Sequence, residues 1–167
     1  HANSYTFYVG YEGPRPGGPA GKEVKVDVTI REEVVFPIEE RPVLRGYAEY
    51  KDLPEDARVR VYSLPEIAAE KVVALLDRAR NEPRDLYDLW HLTEHGQVAL
   101  ARVTEAVGRK LAARGQDLRS LDGLVREKEP RYRRLWETRL SAQVAMLPDF
   151  EQVFRAVRRA LRQVGVT

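Results

Sequence analysis

The stretch from Val59 to Leu92, VRVYSLPEIAAEKVVALLDRARNEPRDLYDLWHL, carries the strongest helix signals of the chain. Ser63 and Glu66 are spaced as a capping box, in which the serine hydroxyl accepts from the Glu66 amide and the Glu66 carboxylate accepts from the Ser63 amide. Pro65 is tolerated there because the amides of a first helical turn have no intrahelical partner. The pattern predicts a helix that begins after Ser63.

Two consecutive helices, each with an apolar and a charged face, are predicted from this stretch. In the first helix Lys71 lies at the edge of a broad apolar arc. Pro83 suits the first position of the second helix, because its φ is already fixed. The polar face of this second helix is formed by Arg84, Asp85, Asp88 and His91. Spacing alone favours solvated faces joined by pairs such as Arg84 with Asp88.

The run PEIAAEKVVALLDRARNEPRDLYDLW, residues 65–90, resembles the last motif of the AbiEii/AbiGii family of nucleotidyltransferase-like toxins. In that motif a glutamate–lysine pair, an arginine and an arginine–aspartate–x–x–aspartate run occur at this spacing. The resemblance implies that Lys71 binds the triphosphate and that Asp85 is an essential carboxylate of the active site. It also implies nucleotide contacts from Arg78, Arg84 and Asp88. Weaker similarity extends from about Tyr5 to the C-terminus.

Two alternating segments near the N-terminus predict a pair of antiparallel strands. Residues 5–9 alternate between apolar and polar side chains, and so does EVKVDVTI at 23–30. The pattern alone is typical of a half-exposed sheet with a solvated Asp27. By resemblance, the KVD run is similar to the third carboxylate strand of the nucleotidyltransferase fold. Asp27 would then be a catalytic carboxylate that binds Mg²⁺ and meets Lys71 and Asp85 at one end of the sheet.

The rest of the chain completes a predicted α+β fold, in which a small, mostly antiparallel sheet precedes a helical C-terminal half. Two more short strands are predicted, near 42–47 and at 58–62. Gly96 ends the second motif helix and Gly115 ends the next. Further helices are predicted at 98–114, 118–127, 131–147 and 149–164. The predicted portions are a strand-rich part, the motif helices and a basic helical bundle, at 1–62, 63–95 and 96–167.

The net charge of +2 is unevenly distributed. Residues 1–95 carry 13 basic and 18 acidic side chains, which gives −5, and residues 96–167 carry 15 and 8, which gives +7. Thirteen of those 15 basic residues are arginine, which suits phosphate recognition, although a GC-rich or thermophilic source gives the same preference. The predicted surface for tRNA or other RNA is formed by Arg155, Arg158, Arg159 and Arg162.

The composition also limits the class of protein. No apolar run approaches the roughly 18 residues that span a bilayer, and the N-terminus lacks the pattern of a signal peptide, so we expect no membrane contact and a cytoplasmic location. Without cysteine there is no disulfide or zinc–thiolate site, and three histidines are too few for a histidine-rich metal cluster. Carboxylates would hold any metal, which favours Mg²⁺ or Mn²⁺.

Members of the resembling family have an early glycine–glycine–serine/threonine turn before a D-x-D pair, and this sequence has neither. Gly17-Gly18 is followed by Pro19, and no D-x-D or E-x-D pair occurs on a predicted strand before Asp27. Since the chain opens with His1, we expect the C-terminal part of a toxin that transfers a nucleotide from a nucleoside triphosphate to an acceptor such as tRNA. An antitoxin encoded nearby would counter it. The alternative is a non-catalytic module that binds a protein or nucleic acid.

Overall fold

The computed structural model describes residues 4–11, 22–29, 32–46, 54–77, 79–115 and 121–164. These residues form four strands and five α-helices, so the predicted α+β class with a helical C-terminal half is confirmed. The chain divides into two compact units, His1–Glu33 and Val34–Thr167. The division into three functional portions stays a prediction.

The first unit contains a β-hairpin made of β1 (Ser4–Gly10) and β2 (Glu23–Thr29). The strands are antiparallel, as predicted, and the register pairs Phe7 with Val26. Because side chains alternate between the two faces of a strand, the paired apolar residues all lie on the same face of the hairpin. Asp27 lies on the opposite face.

The second unit begins with another antiparallel pair, β3 (Ile38–Pro42) and β4 (Arg58–Tyr62). The position of β4 is as predicted. The strand expected near 42–47 is wrong, because β3 ends at Pro42 instead of beginning there. Proline has no amide hydrogen to give to a ladder, so the last residue of a strand is a position that tolerates it.

Five helices follow: α1 (Leu64–Leu76), α2 (Pro83–Glu94), α3 (Thr104–Ala113), α4 (Leu121–Leu140) and α5 (Phe150–Leu161). The turn Leu100–Val103 is a 3₁₀ helix, so the single helix predicted at 98–114 is in fact two elements. Gly96 and Gly115 follow α2 and α3 with φ of 64° and 67°, which confirms their predicted role as helix ends. No described helix is both long and apolar enough to cross a membrane.

Helix α4 contradicts the prediction of two helices at 118–127 and 131–147. It runs without a break through Pro130 and ends at Leu140. A proline removes one hydrogen bond from a helix. Burial of Val125 before it and of Tyr132 and Trp136 after it keeps both halves on the same core, which offsets that loss.

The apolar core lies among the helices of the second unit. Helix α1 is central to it and packs against α2, α3 and α4. The helix predicted at 149–164 contributes a buried apolar stripe to this core: Phe150, Val153, Phe154, Val157, Leu161 and Val164. The N-cap of that helix, Asp149, accepts from the amide of Gln152 at 3.1 Å.

The predicted capping box at the start of α1 is wrong. Ser63 makes no side-chain cap, and Glu66 is 1% exposed. One carboxylate oxygen of Glu66 accepts from the amides of Val35 and Phe36, at 3.1 and 2.9 Å, and the other lies 2.6 Å from Nζ of Lys110. A buried carboxylate needs a cation and several donors, which the Ser63 amide alone does not supply. Glu66 therefore connects α1 to α3 and to the segment before β3.

Candidate functional site

A cluster of four charged side chains lies at the junction of α1 and α2. Nζ of Lys71 is 2.9 Å from Oδ1 of Asp85 and also contacts Oδ2 of Asp88. Arg80, on the linker between the two helices, donates from Nε to Oδ2 of Asp85 at 2.7 Å and from Nη2 to Oδ1 at 3.1 Å. We refer to these four residues as the Lys71 cluster.

Burial differs sharply within the Lys71 cluster. The side chain of Asp85 is 1% exposed, whereas those of Lys71, Asp88 and Arg80 are 21%, 39% and 45% exposed. The prediction that Asp85 lies on a solvated face of α2 is therefore wrong. This residue faces the first helix because two cations satisfy its charge there. The buried anion thus holds two cations that both reach the surface.

Hydrogen bonds keep the cluster ionised. Burial alone would raise the pKa of Asp85, but hydrogen bonds from Arg80 and Lys71 outweigh burial and hold that pKa below its ordinary value. Burial alone would lower the pKa of Lys71, and its hydrogen bonds to Asp88 and Asp85 raise it instead. At neutral pH Asp85 is therefore an anion that lies between the cations of Lys71 and Arg80.

Lys128 of α4 holds the linker between α1 and α2 in place. Its Nζ donates to the carbonyl oxygens of Leu75 at 2.7 Å, Asp77 at 2.5 Å and Arg80 at 2.8 Å. Lys128 is 6% exposed, and burial lowers its pKa. Three acceptors match the three protons of an ammonium group. Lys128 therefore fixes the backbone from which Arg80 reaches Asp85.

Neither Arg80 nor Lys128 was predicted as a site residue from the sequence. A usable signal was present, because only two of the 15 basic residues in 96–167 are lysines, and both, Lys110 and Lys128, are buried. A compact ammonium group fits a dry space between acceptors where a planar guanidinium does not. A lysine in this arginine-rich half therefore indicates a buried ammonium group. Arg80 had no comparable signal.

The other predicted site residues lie outside the Lys71 cluster. Arg84 is exposed on the first turn of α2 and has no ion-pair partner within the part of the chain that the structure describes. Arg78 lies outside the described residues. Asp27 belongs to the hairpin unit, where it accepts from the Thr6 hydroxyl at 2.6 Å and lies 2.9 Å from Nζ of Lys25. Its predicted meeting with the other two catalytic residues stays a prediction.

The carboxylates described here do not form a metal site. No group of three histidine, aspartate or glutamate side chains among the described residues could hold a metal ion. The two predicted carboxylates are each paired with a cation, Asp27 with Lys25 and Asp85 with Lys71. A bound lysine occupies the oxygens that Mg²⁺ would need. The described residues therefore do not fit the Mg²⁺ that the resemblance implies.

The predicted RNA-binding arginines lie on and just after α5. Arg155, Arg159 and Arg162 are exposed, whereas the half-buried Arg158 has its guanidinium 5.8 Å from the centre of the Phe154 ring. Nε of Arg155 donates to a backbone carbonyl of its own helix at 3.1 Å. Three of the four predicted arginines are thus on the surface, and one packs on an aromatic ring.

Comparison with known proteins identifies a family for this chain. Residues 1–161 match the family model described as "Nucleotidyl transferase AbiEii toxin, Type IV TA system". No curated protein and no solved structure gives a significant match. The family match covers nearly the whole chain, including the Lys71 cluster and the hairpin that carries Asp27. The protein therefore belongs to the AbiEii family of nucleotidyltransferase toxins from type IV toxin–antitoxin systems.

Proposed function

We propose that the Lys71 cluster binds the phosphates of a nucleoside triphosphate, and that a complete protein with an early D-x-D pair transfers a nucleotide from it to an acceptor such as tRNA. Family membership supports a nucleotidyltransferase-like toxin that is countered by an antitoxin. The observation that carries the proposal is the contact between Lys71 and Asp85, 14 positions apart, at 2.9 Å. These are two of the residues to which the motif assigns function.

The residues of the Lys71 cluster have different proposed roles. Buried Asp85 holds the cations of Lys71 and Arg80 side by side, although like charges repel each other. Both cations are partly exposed, so the oxygens of a phosphate can bind to them from solvent. Asp88 is the more exposed of the two carboxylates, and a phosphate would take its place on Lys71. Asp85 is then a positioning residue that fixes both cations.

The other predicted contacts complete this proposal without a metal step. Arg84 and Arg78 are proposed to bind the nucleotide as well. Asp27 is proposed as a further carboxylate of the complete site, together with an early D-x-D pair. We assign no step to Mg²⁺, because the described carboxylates do not form a site for it.

The transfer step is tested with the 167-residue chain itself. Because its sequence contains no D-x-D pair, we expect it to bind nucleoside triphosphates without transferring a nucleotide. The measurement is incubation with the four labelled triphosphates, Mg²⁺ and tRNA, with equilibrium dialysis of the same triphosphates beside it. Label in the tRNA would mean that the catalytic carboxylates lie elsewhere. A chain that neither binds nor transfers nucleotides would favour the alternative, a non-catalytic binding module.

The partners follow from the same proposal. We propose that the protein acts in the cytoplasm, where triphosphates and tRNA are both present, and that an antitoxin encoded beside it restrains it during abortive infection. The exposed arginines of α5 are proposed to contact the RNA backbone. Arginine suits this contact because its planar fork can bind two phosphate oxygens at once.

Replacing three exposed arginines of α5 by glutamate is expected to weaken tRNA binding and to flatten its salt dependence. If each arginine neutralises one phosphate, the slope of log affinity against log salt falls by about 2. The measurement is fluorescence anisotropy with labelled tRNA at several salt concentrations. The variant combines Arg155→Glu, Arg159→Glu and Arg162→Glu.

A matched control places the same change of charge on exposed arginines of α4. The control variant combines Arg126→Glu, Arg131→Glu and Arg134→Glu. If both triple variants weaken tRNA binding equally, the loss of affinity comes from the change in net charge. That result would contradict a specific role for α5.

A further inference from the structure

A groove of about 300 Å³ lies between the start of α1 and the middle of α2. It opens to solvent, since Leu64 at its edge is 36% exposed and His91 on the other side is also exposed. Of the residues that line it, the motif resemblance assigns a role only to Asp88. The groove is lined by Leu64, Ile67, Tyr87, Asp88, His91 and Leu92.

The walls of the groove suit a flat aromatic ligand. On the α2 side, the rings of Tyr87 and His91 are nearly parallel, with 27° between their planes and 6.1 Å between their centres. On the α1 side, Leu64 and Ile67 present aliphatic surface. Nucleobases bind proteins chiefly by stacking on such rings and packing against apolar side chains. The volume is at the lower end of the range for small-molecule pockets, which a base with its sugar can fill.

Asp88 connects this groove to the Lys71 cluster. Its side chain lines the groove and at the same time contacts Nζ of Lys71. The cations of Lys71 and Arg80 therefore lie just beyond one edge of an apolar groove. A ligand that fits both must have a flat, largely apolar end and an anionic end a short distance away.

We propose that this groove binds the base of the nucleotide whose phosphates bind to the Lys71 cluster. The inference rests on the proposed phosphate site and adds the place of the base. His91 and Tyr87 stack on the base, and Leu64 covers its other face. The phosphates extend past Asp88 to Lys71.

The test compares ATP with inorganic triphosphate, which has the phosphates but no base. We expect the wild-type chain to bind ATP more tightly than triphosphate. His91→Ala should weaken ATP binding roughly 5- to 100-fold, the range for loss of one stacking ring, and leave triphosphate binding unchanged. Leu64→Trp, which fills the groove, should lower the affinity for ATP to that for triphosphate. Titration calorimetry measures each of these affinities.

Met146→Ala is the control, because Met146 is an exposed side chain after α4 that does not line the groove. It should leave both affinities unchanged. Equal wild-type affinity for ATP and triphosphate, or equal weakening by His91→Ala and Met146→Ala, would overturn the base site. Adenosine separates the two proposals: binding of adenosine that His91→Ala weakens supports the groove even if triphosphate does not bind. If triphosphate binds and His91→Ala does not weaken ATP binding, the phosphate site is supported and the base site is contradicted.

Discussion

Replacing Asp85 by asparagine is expected to lower the free energy of unfolding by about 3 kcal/mol. Removing one partner of a buried ion pair is costly because it leaves the other charges without compensation. The value lies toward the lower end of the usual range, since Arg80 and Lys71 are partly exposed and water can solvate them. Chemical denaturation at neutral pH, monitored by circular dichroism, measures the change.

Asp88→Asn is the matched control for this prediction. Asp88 contacts the same ammonium group of Lys71, but its side chain is 39% exposed against 1% for Asp85. Exposed ion pairs contribute at most about 1 kcal/mol, so the control should be far milder. If both variants lose the same free energy of unfolding, burial of Asp85 does not increase its contribution to stability.

The difference between wild type and Asp85→Asn should also depend on pH. The pKa of Asp85 is held below its ordinary value of 3.8, so its ionised form stabilises the fold at neutral pH. That stability is present above pH 3.8 and is lost as pH falls through the lower pKa of the folded protein. The two unfolding free energies should therefore converge in acid. A constant difference from pH 7 to strong acid would contradict the ionised pair.

Lys110→Met is expected to destabilise the protein by about 3–5 kcal/mol, the usual cost of removing one partner of a buried ion pair. Nζ of Lys110 lies 2.6 Å from Oε1 of Glu66 and 2.6 Å from Oε1 of Glu70. Lys110 and Glu66 are 2% and 1% exposed, so the change leaves a carboxylate buried without its cation. Thermal and urea unfolding measure the loss.

Two further variants make this prediction specific. Glu66→Gln in the Lys110→Met background should recover part of the stability, because the amide oxygen still accepts from the backbone and the buried charge is gone. Arg114→Met should change the free energy of unfolding by less than about 1 kcal/mol. The side chain of Arg114 is 45% exposed, and its Nη2 lies 3.4 Å from Glu70, so this ion pair is weak. No recovery in the double variant would mean that Lys110 acts through packing instead of charge.

Helix ends and the strands of the hairpin could be predicted from the sequence, because they depend on residues that are close together in the chain. Proline preorganises the first turn of α2 at Pro83, glycine allows the positive φ at Gly96, and Asp149 caps the last helix. The paired strands of the hairpin followed from simple alternation. In each case, residues a few positions apart determine the outcome.

Contacts between distant residues could not be predicted in the same way. The spacing of a helix shows which side chains share a face, but not which face a neighbouring helix covers, and so Asp85 was expected in solvent. Glu66 was expected to bond locally at Ser63, yet its partners are 30 or more positions away in sequence. Two helices were expected at 118–127 and 131–147, yet core packing keeps α4 continuous through Pro130.

The candidate site shows the same limit. The approach of Lys71 to Asp85 was expected from a resemblance and not from any periodicity, while Arg80 and Lys128 became visible only in the structure. Lys128 acts on three backbone carbonyls, and no sequence pattern records where carbonyl groups converge. Packing of α4 against the linker after α1 creates that position.

Titration of inorganic triphosphate into the wild-type chain, Lys71→Met and Lys22→Met tests most directly whether the Lys71 cluster binds phosphate. Lys22→Met removes the same charge from the hairpin unit and serves as the control. We predict that Lys71→Met weakens binding about 10- to 100-fold, the worth of one charged hydrogen bond, and that Lys22→Met does not. Unchanged affinity in a folded Lys71→Met variant would contradict phosphate binding at the cluster.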